Sequence, residues 1–174
     1  MLTKSQEVSA SAITDLLRED HKKVKRLFEE FEEADDAKAK YRIVETALAE
    51  LEVHAKLEEE LIYPAIRAAI GDEDLMDEAF EEHHVVHGLL GELKKMTPSD
   101  ERYDAKFTVL AENVRHHIKE ESEMFPKAED CEIDWEALSA QVTKRKEQLL
   151  ANASAPSKNG SHKVSKKKKG GFSI

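Results

Sequence analysis

The sequence predicts an all-α protein, an up-down-up-down antiparallel four-helix bundle with an extra C-terminal helix and a disordered basic tail. Three observations carry that expectation. Apolar residues recur every three or four positions along four long stretches, short polar connections separate those stretches, and few β-branched runs interrupt them. With 174 residues, only 6 Gly and 4 Pro, the chain has the size of one domain, able to bury roughly 70% of its unfolded surface.

The elements follow in order. Residues 1–11 lack a sustained stripe and read as a flexible N-terminus. The first helix spans about Ala12 to Ala34, with Ile13, Leu17, His21, Val24, Phe28 and Phe31 on one face. After Asp35-Asp36, the second runs from about Lys38 to Ile70 and stops at Gly71, a residue suited to a helix C-terminus. Its stripe is Val44, Ala47, Leu51, His54, Glu58, Leu61 and Ala65. The third starts near Asp74, ends before Thr97-Pro98-Ser99, and groups Met76, Phe80, His83, His87 and Leu90. The fourth runs from about Asp100 to Ala128, closing a bundle assigned to residues 12–130. Asp134-Trp135 opens the additional helix, 134–151.

Charge and composition exclude several classes. Six of the 27 basic residues lie in the tail, 152–174, which leaves 21 basic against 37 acidic residues in 1–151, a formal charge of −16. The Ser-, Gly- and Lys-rich tail has too little apolar surface to offset the entropy of ordering. Four consecutive lysines give it weak attraction for anions, with no specific nucleic-acid partner implied. No stretch reaches the roughly 20 apolar residues that span a bilayer. The N-terminal segment has no apolar core of the kind a signal peptide carries. A single cysteine, Cys131, rules out an internal disulfide and a thiolate metal cage. These readings predict a cytoplasmic protein without a membrane span.

An internal repeat concentrates the chemistry. HAKLEEELIYP (His54 to Pro64) and HHIKEESEMFP (His116 to Pro126) align His54 with His116 and Glu58 with Glu120 when their prolines are superposed. EDHKKVKRLFEEF and EEHHVVHGLLGEL align His21 with His83 more loosely. Seven of the eight histidines fall in the four bundle helices, several where the stripe calls for leucine. His54 with Glu58, His83 with His87, and His116 with Glu120 each stand four residues apart, about 6 Å along a helix axis, and so project side chains to one side. A second stripe on the last bundle helix, Phe107, Leu110, Val114, His117 and Glu121, offers His117 and Glu121 instead; the proline alignment favours His116 and Glu120.

Carboxylates facing a bundle core cost several kcal/mol unless a cation compensates them. Imidazoles and carboxylates without thiolate suit iron, manganese or zinc. A carboxylate has two oxygens and can join two metals about 3.5–4 Å apart. If Glu58 and Glu120 both join two ions, five histidines divide three and two, so one ion keeps an open position for dioxygen, peroxide or nitric oxide. Ferritin-like bundles require two E-x-x-H pairs, and this sequence has one in the bundle, Glu81 to His84. Protease H-E-x-x-H, P-loop and dinucleotide motifs are absent. Gly88 and Gly91, flanking Leu89-Leu90, read either as room beside His87 or as surface glycines.

The set His21, H54-x-x-x-E58, H83-x-x-x-H87 and H116-x-x-x-E120, with the aromatic-proline pairs Tyr63-Pro64 and Phe125-Pro126, resembles the hemerythrin family, specifically bacterial HHE cation-binding proteins. The resemblance covers about residues 12–130. It implies two iron ions (Fe2+/Fe3+) with a bridging oxygen species. His83, His87 and His116 would hold one ion, His21 and His54 the other, and Glu58 and Glu120 would lie between them. It further implies binding of O2 or a related small ligand for oxygen or iron handling or sensing, with peroxide or nitric oxide removal as the enzymatic alternative. Oxygen carriers of the family have an Asp five residues after the last His, where this chain has Glu120 after four.

Overall fold

A buried layer of histidine and glutamate divides the apolar core of this protein in two, and the helices are best followed through that layer. The computed structural model describes residues 4–154, and within them the chain is helical with no strand. α1 spans Lys4–Glu33 and α2 spans Ala37–Leu57. α2 continues through a π-helical turn, Glu58–Ile62, into α3, Tyr63–Ile70, so that these three form one leg. α4 (Glu73–Leu93) and α5 (Tyr103–Glu129) complete the four-helix bundle, and α6 (Trp135–Ser154) packs against α1 and α2.

Local chemistry sets the ends. Asp36 Oδ2 accepts the Ala39 amide at 2.8 Å, and Asp72 Oδ1 accepts that of Leu75 at 3.2 Å, the side-chain caps that starting helices favour. Gly71 takes φ 68° to end α3, a left-handed conformation that other residues adopt at a cost. α1 begins at Lys4, inside the segment expected to be flexible. Its early turns pack on the additional C-terminal helix. Ala10, Ile13 and Leu17 share an apolar cluster with Trp135, Leu138 and Val142 of α6, and the Thr14 hydroxyl donates to Glu129 at 2.6 Å. α6 is also tied down by charge, with Lys146 Nζ 2.8 Å from both Asp20 oxygens and Arg145 on both Glu60 oxygens at 2.7 and 3.0 Å. The Lys-rich tail lies outside the described residues from 155 onward.

Each bundle leg crosses from one apolar cluster to the other at the polar layer. Leu17 and Val24 lie in different clusters with His21 between them. The same holds for Leu51 and Leu57 around His54, Ala79 and Val86 around His83, and Ile118 and Met124 around Glu121. Gly88 and Gly91 face open space, so neither makes room for a close contact.

The π-turn alters the register of the second leg. The Tyr63 amide bonds to the Glu58 carbonyl, five residues back rather than four. Pro64 follows directly; it has no amide to donate, and its ring crowds the carbonyl four residues before it in a regular helix. One additional residue fits into the turn, and the buried stripe moves from the expected Leu61 and Ala65 to Ile62, Tyr63 and Ile66. Pro126, the repeat's counterpart, sits in an uninterrupted α5.

Candidate metal centre

Two imidazole pairs face each other across the layer. His21 of α1 and His54 of α2 bring their Nε2 atoms to 3.0 Å, and His83 of α4 and His117 of α5 do the same at 3.0 Å. Two buried carboxylates span the pairs. Glu58 places Oε1 3.1 Å from His54 Nε2 and Oε2 3.3 Å from His83 Nε2. Glu121 places Oε2 3.0 Å from His21 Nε2 and Oε1 3.6 Å from His117 Nε2. Each acid therefore offers one oxygen to each pair. Ligands about 2.1 Å from a shared first-row ion stand roughly 3.0–3.4 Å apart, close to the separations here. The buried donors fall into two groups of metal-binding spacing, His21, His54, Glu58 and Glu121 in one and Glu58, His83 and His117 in the other.

The far sides of the rings show which atoms are free to bind. His83 Nδ1 meets Glu59 Oε1 at 2.7 Å and His117 Nδ1 meets Glu82 Oε2 at 2.6 Å. His54 Nδ1 lies 3.6 Å from Asp20 Oδ2, within ion-pair range. A proton held on Nδ1 leaves Nε2 as a lone-pair atom, the arrangement of carboxylate–histidine–metal triads. His83 and His117 then face each other lone pair to lone pair, which repels unless a cation stands there. Both Glu58 oxygens and Glu121 Oε2 are buried without a hydrogen bond. Such a set requires compensating positive charge, and the donors fit a metal.

Without a metal, protons supply that charge. Burial works against a charged His54, yet Glu58, Asp20 and Glu121 outweigh it and raise its pKa from 6.5 to about 10. Burial also opposes ionised Glu58, but His54 and His83 hold its carboxyl well below the usual range. His117 is raised despite burial by Glu82, Glu121 and Glu58.

Tyr63 makes the two ends of the layer unlike. Its hydroxyl donates to Glu121 Oε1 at 2.6 Å and stands 3.2 Å from His83 Nε2 and 3.0 Å from His117 Nε2. Burial, with Glu58 and Glu121 nearby, pushes its pKa well above 10, so the proton stays on the oxygen. At the repeat's matching position Phe125 stacks parallel to the His21 ring, 6.4 Å between centroids. Beside the layer lies a cavity of ≈ 20 Å³ touching all four imidazoles. Its remaining wall is almost entirely aliphatic, with Val24, Leu51, Ala55, Val86, Val114 and Ile118.

Of the expected ligands, the structure brings together His21, His54, Glu58 and His83 in one buried layer and places three outside it. His116 and Glu120 point away from the layer; His116 Nε2 meets Glu120 Oε1 at 3.1 Å and Glu82 Oε1 at 3.3 Å near the surface. The π-turn is the cause. Pro64 lies ten positions after His54, one of them accommodated by that turn, whereas Pro126 lies nine positions after the equivalent His117 in the regular α5. Superposing the prolines therefore selects residues one position too early. His87 is the third residue outside the layer. The buried face of α4 passes through Met76, Ala79, His83, Val86 and Leu90, so His87 falls on the flank, where its Nε2 meets Glu59 Oε1 at 2.7 Å. Tyr63 was visible in the sequence only as an aromatic before proline, and its hydroxyl gained meaning only when the turn rotated it inward.

The hemerythrin HHE cation-binding domain family matches residues 12–128. A hemerythrin HHE cation-binding domain-containing protein from Mycobacterium kansasii, known from its crystal structure, shares the fold with a TM-score of 0.66 and 25% identity, over 80% of this chain and 87% of that one. A protein of Nostoc sp. named DNA nickase is 30% identical over 125 residues, 71% of this chain; the matched region spans 35% of that protein's length.

Proposed function

The chain belongs to the hemerythrin HHE cation-binding domain family, and from that premise we propose that it is a cytoplasmic non-haem di-iron protein that binds O2 or a related small ligand. The observation that carries this reading is the placement of Glu58 and Glu121, each with one oxygen toward each imidazole pair. Iron held there supplies one-electron redox chemistry and an open coordination position when bound. His21 and His54 would hold one ion, His83 and His117 the other, and Glu58 and Glu121 would be shared. Four imidazoles divide evenly, so the three-and-two division expected from five does not apply; Tyr63 at one end and Phe125 at the other make the positions unequal instead.

The remaining side chains do the positioning. Glu59 and Glu82 orient His83 and His117 from behind, with Asp20 in ion-pair range of His54, and loss of such partners typically costs 10–100-fold in metal affinity. The aliphatic cavity has room for one small molecule and few polar groups to hold water, which favours a diatomic ligand. A second reading, turnover of peroxide or nitric oxide, is favoured by Tyr63, which holds a proton at its hydroxyl oxygen beside the centre.

Absorbance of the reduced, iron-loaded protein before and after O2 tests the proposal. A new band that bleaches under argon supports reversible ligand binding. Sustained consumption of added peroxide or nitric oxide, lost in Tyr63→Phe, supports the enzyme. A protein that retains no iron after reconstitution and desalting overturns both.

A further inference from the structure

On one side the centre is lined by aliphatic side chains. Stripping an ion of water against Val24, Leu51, Val86 and Val114 is costly, and the opposite side offers another way in. Between α4 and α5 lies a small cleft of ≈ 10 Å³, lined by Glu82, Glu120, His117 and Glu121 together with Met124. Its outer end holds a cluster of metal-binding spacing, Glu82, His116 and Glu120. Its inner end is the buried Glu121. Side-chain exposure falls in steps along this line, from 62% for His116 through 33% for Glu120 and 18% for Glu82 to 7% for His117 and 1% for Glu121.

We propose that Glu82, His116 and Glu120 form an outer docking station for a divalent cation, from which ions pass along this cleft to the buried centre. The chemistry is that of the centre in diluted form, one imidazole with two carboxylates, so an incoming Fe2+ exchanges water for similar ligands in stages. Glu82 connects the two sites. Its Oε1 faces His116 at 3.3 Å and its Oε2 faces His117 Nδ1 at 2.6 Å, so one side chain belongs to the outer cluster and supports an inner ligand. On the other flank His87 also lies in a group of metal-binding spacing, with Glu59 and His83, but there a single oxygen, Glu59 Oε1, receives both imidazoles.

This inference rests on the dinuclear reading, and the test separates the two. Metal-free protein is mixed with Co2+ alone. Uptake is followed by visible d–d absorbance in a stopped-flow instrument, and the final metal content is measured after desalting. His116→Ala with Glu120→Gln is expected to slow uptake on the order of tenfold while the final content and melting temperature match the parent. Glu123→Gln, which removes an exposed charge on α5 outside the cleft, should load at the parent rate. Equal rates in the double variant and the parent would overturn the docking station while leaving the centre intact. A parent that takes up no Co2+ dependent on His117 and Glu121 would overturn the centre, and the station with it.

Discussion

Replacing His117 and His116 separately by alanine is the sharpest test of where the α5 ligands lie. His117 is buried, with Nδ1 on Glu82 at 2.6 Å and Nε2 3.0 Å from both His83 Nε2 and the Tyr63 hydroxyl. Its loss removes half of one imidazole pair and a hydrogen bond to a charged partner, the latter costing about 1.5–3 kcal/mol. For a domain of this size each kcal/mol lowers Tm by about 2–4 °C, so metal-free His117→Ala should melt roughly 3–12 °C below the parent. After anaerobic reconstitution with Fe2+ and desalting, its iron content should fall from two ions per chain toward one. His116 is mostly solvated, and its replacement should change stability by no more than about 0.5 kcal/mol and leave the iron content unchanged. Metal analysis and thermal melts read both variants. The reverse pattern, with iron lost in His116→Ala and kept in His117→Ala, would refute the register assigned to α5 and the role given to the π-turn.

Three other outcomes follow from the same geometry. Removing metal should lower Tm, since an ion present at about 1,000 times its Kd contributes about 4.1 kcal/mol, or roughly 8–16 °C at the scaling above; calorimetry with and without chelator measures it. Metal-free protein should lose stability as pH rises. The pKa of His54 goes up from 6.5 to about 10 on folding, so its contribution is fully present below pH 6.5 and is lost as pH passes through about 10; melts across that range, flat for the metal-loaded form and falling for the metal-free one, check the sign. Lys146→Ala should remove the ion pair between α6 and Asp20 at a cost of about 1 kcal/mol, with iron content preserved; chemical denaturation monitored through the buried Trp135 reads it.

The helices were legible because their stripes are long and their stops are local. Asp36, Asp72 and Gly71 do in the structure what their residue types lead one to expect. The N-terminal turns were not, because Ala10 becomes a core residue only when α6 covers it, a contact between distant segments that periodicity does not contain. At the centre, the convergence of His21, His54, Glu58 and His83 on one layer was readable from their stripes and from the repeat. The last pair was not, although Phe107, Leu110, Val114, His117 and Glu121 formed a regular stripe in plain view. Superposed prolines outweighed that stripe, and the superposition assumed equal rise in both legs. A π-turn breaks that assumption without leaving a gap in the sequence. Its indirect trace was the mismatch between two candidate stripes on α5, which differ by the one residue that the turn absorbs.

Two ions are expected between the four imidazoles and the two shared carboxylates. Anomalous diffraction at the iron edge from crystals of the reconstituted protein tests this directly. Two peaks should appear, one between His21 and His54 and one between His83 and His117, with Glu58 and Glu121 on both. A single peak, or density only at the surface cluster of Glu82, His116 and Glu120, would contradict it.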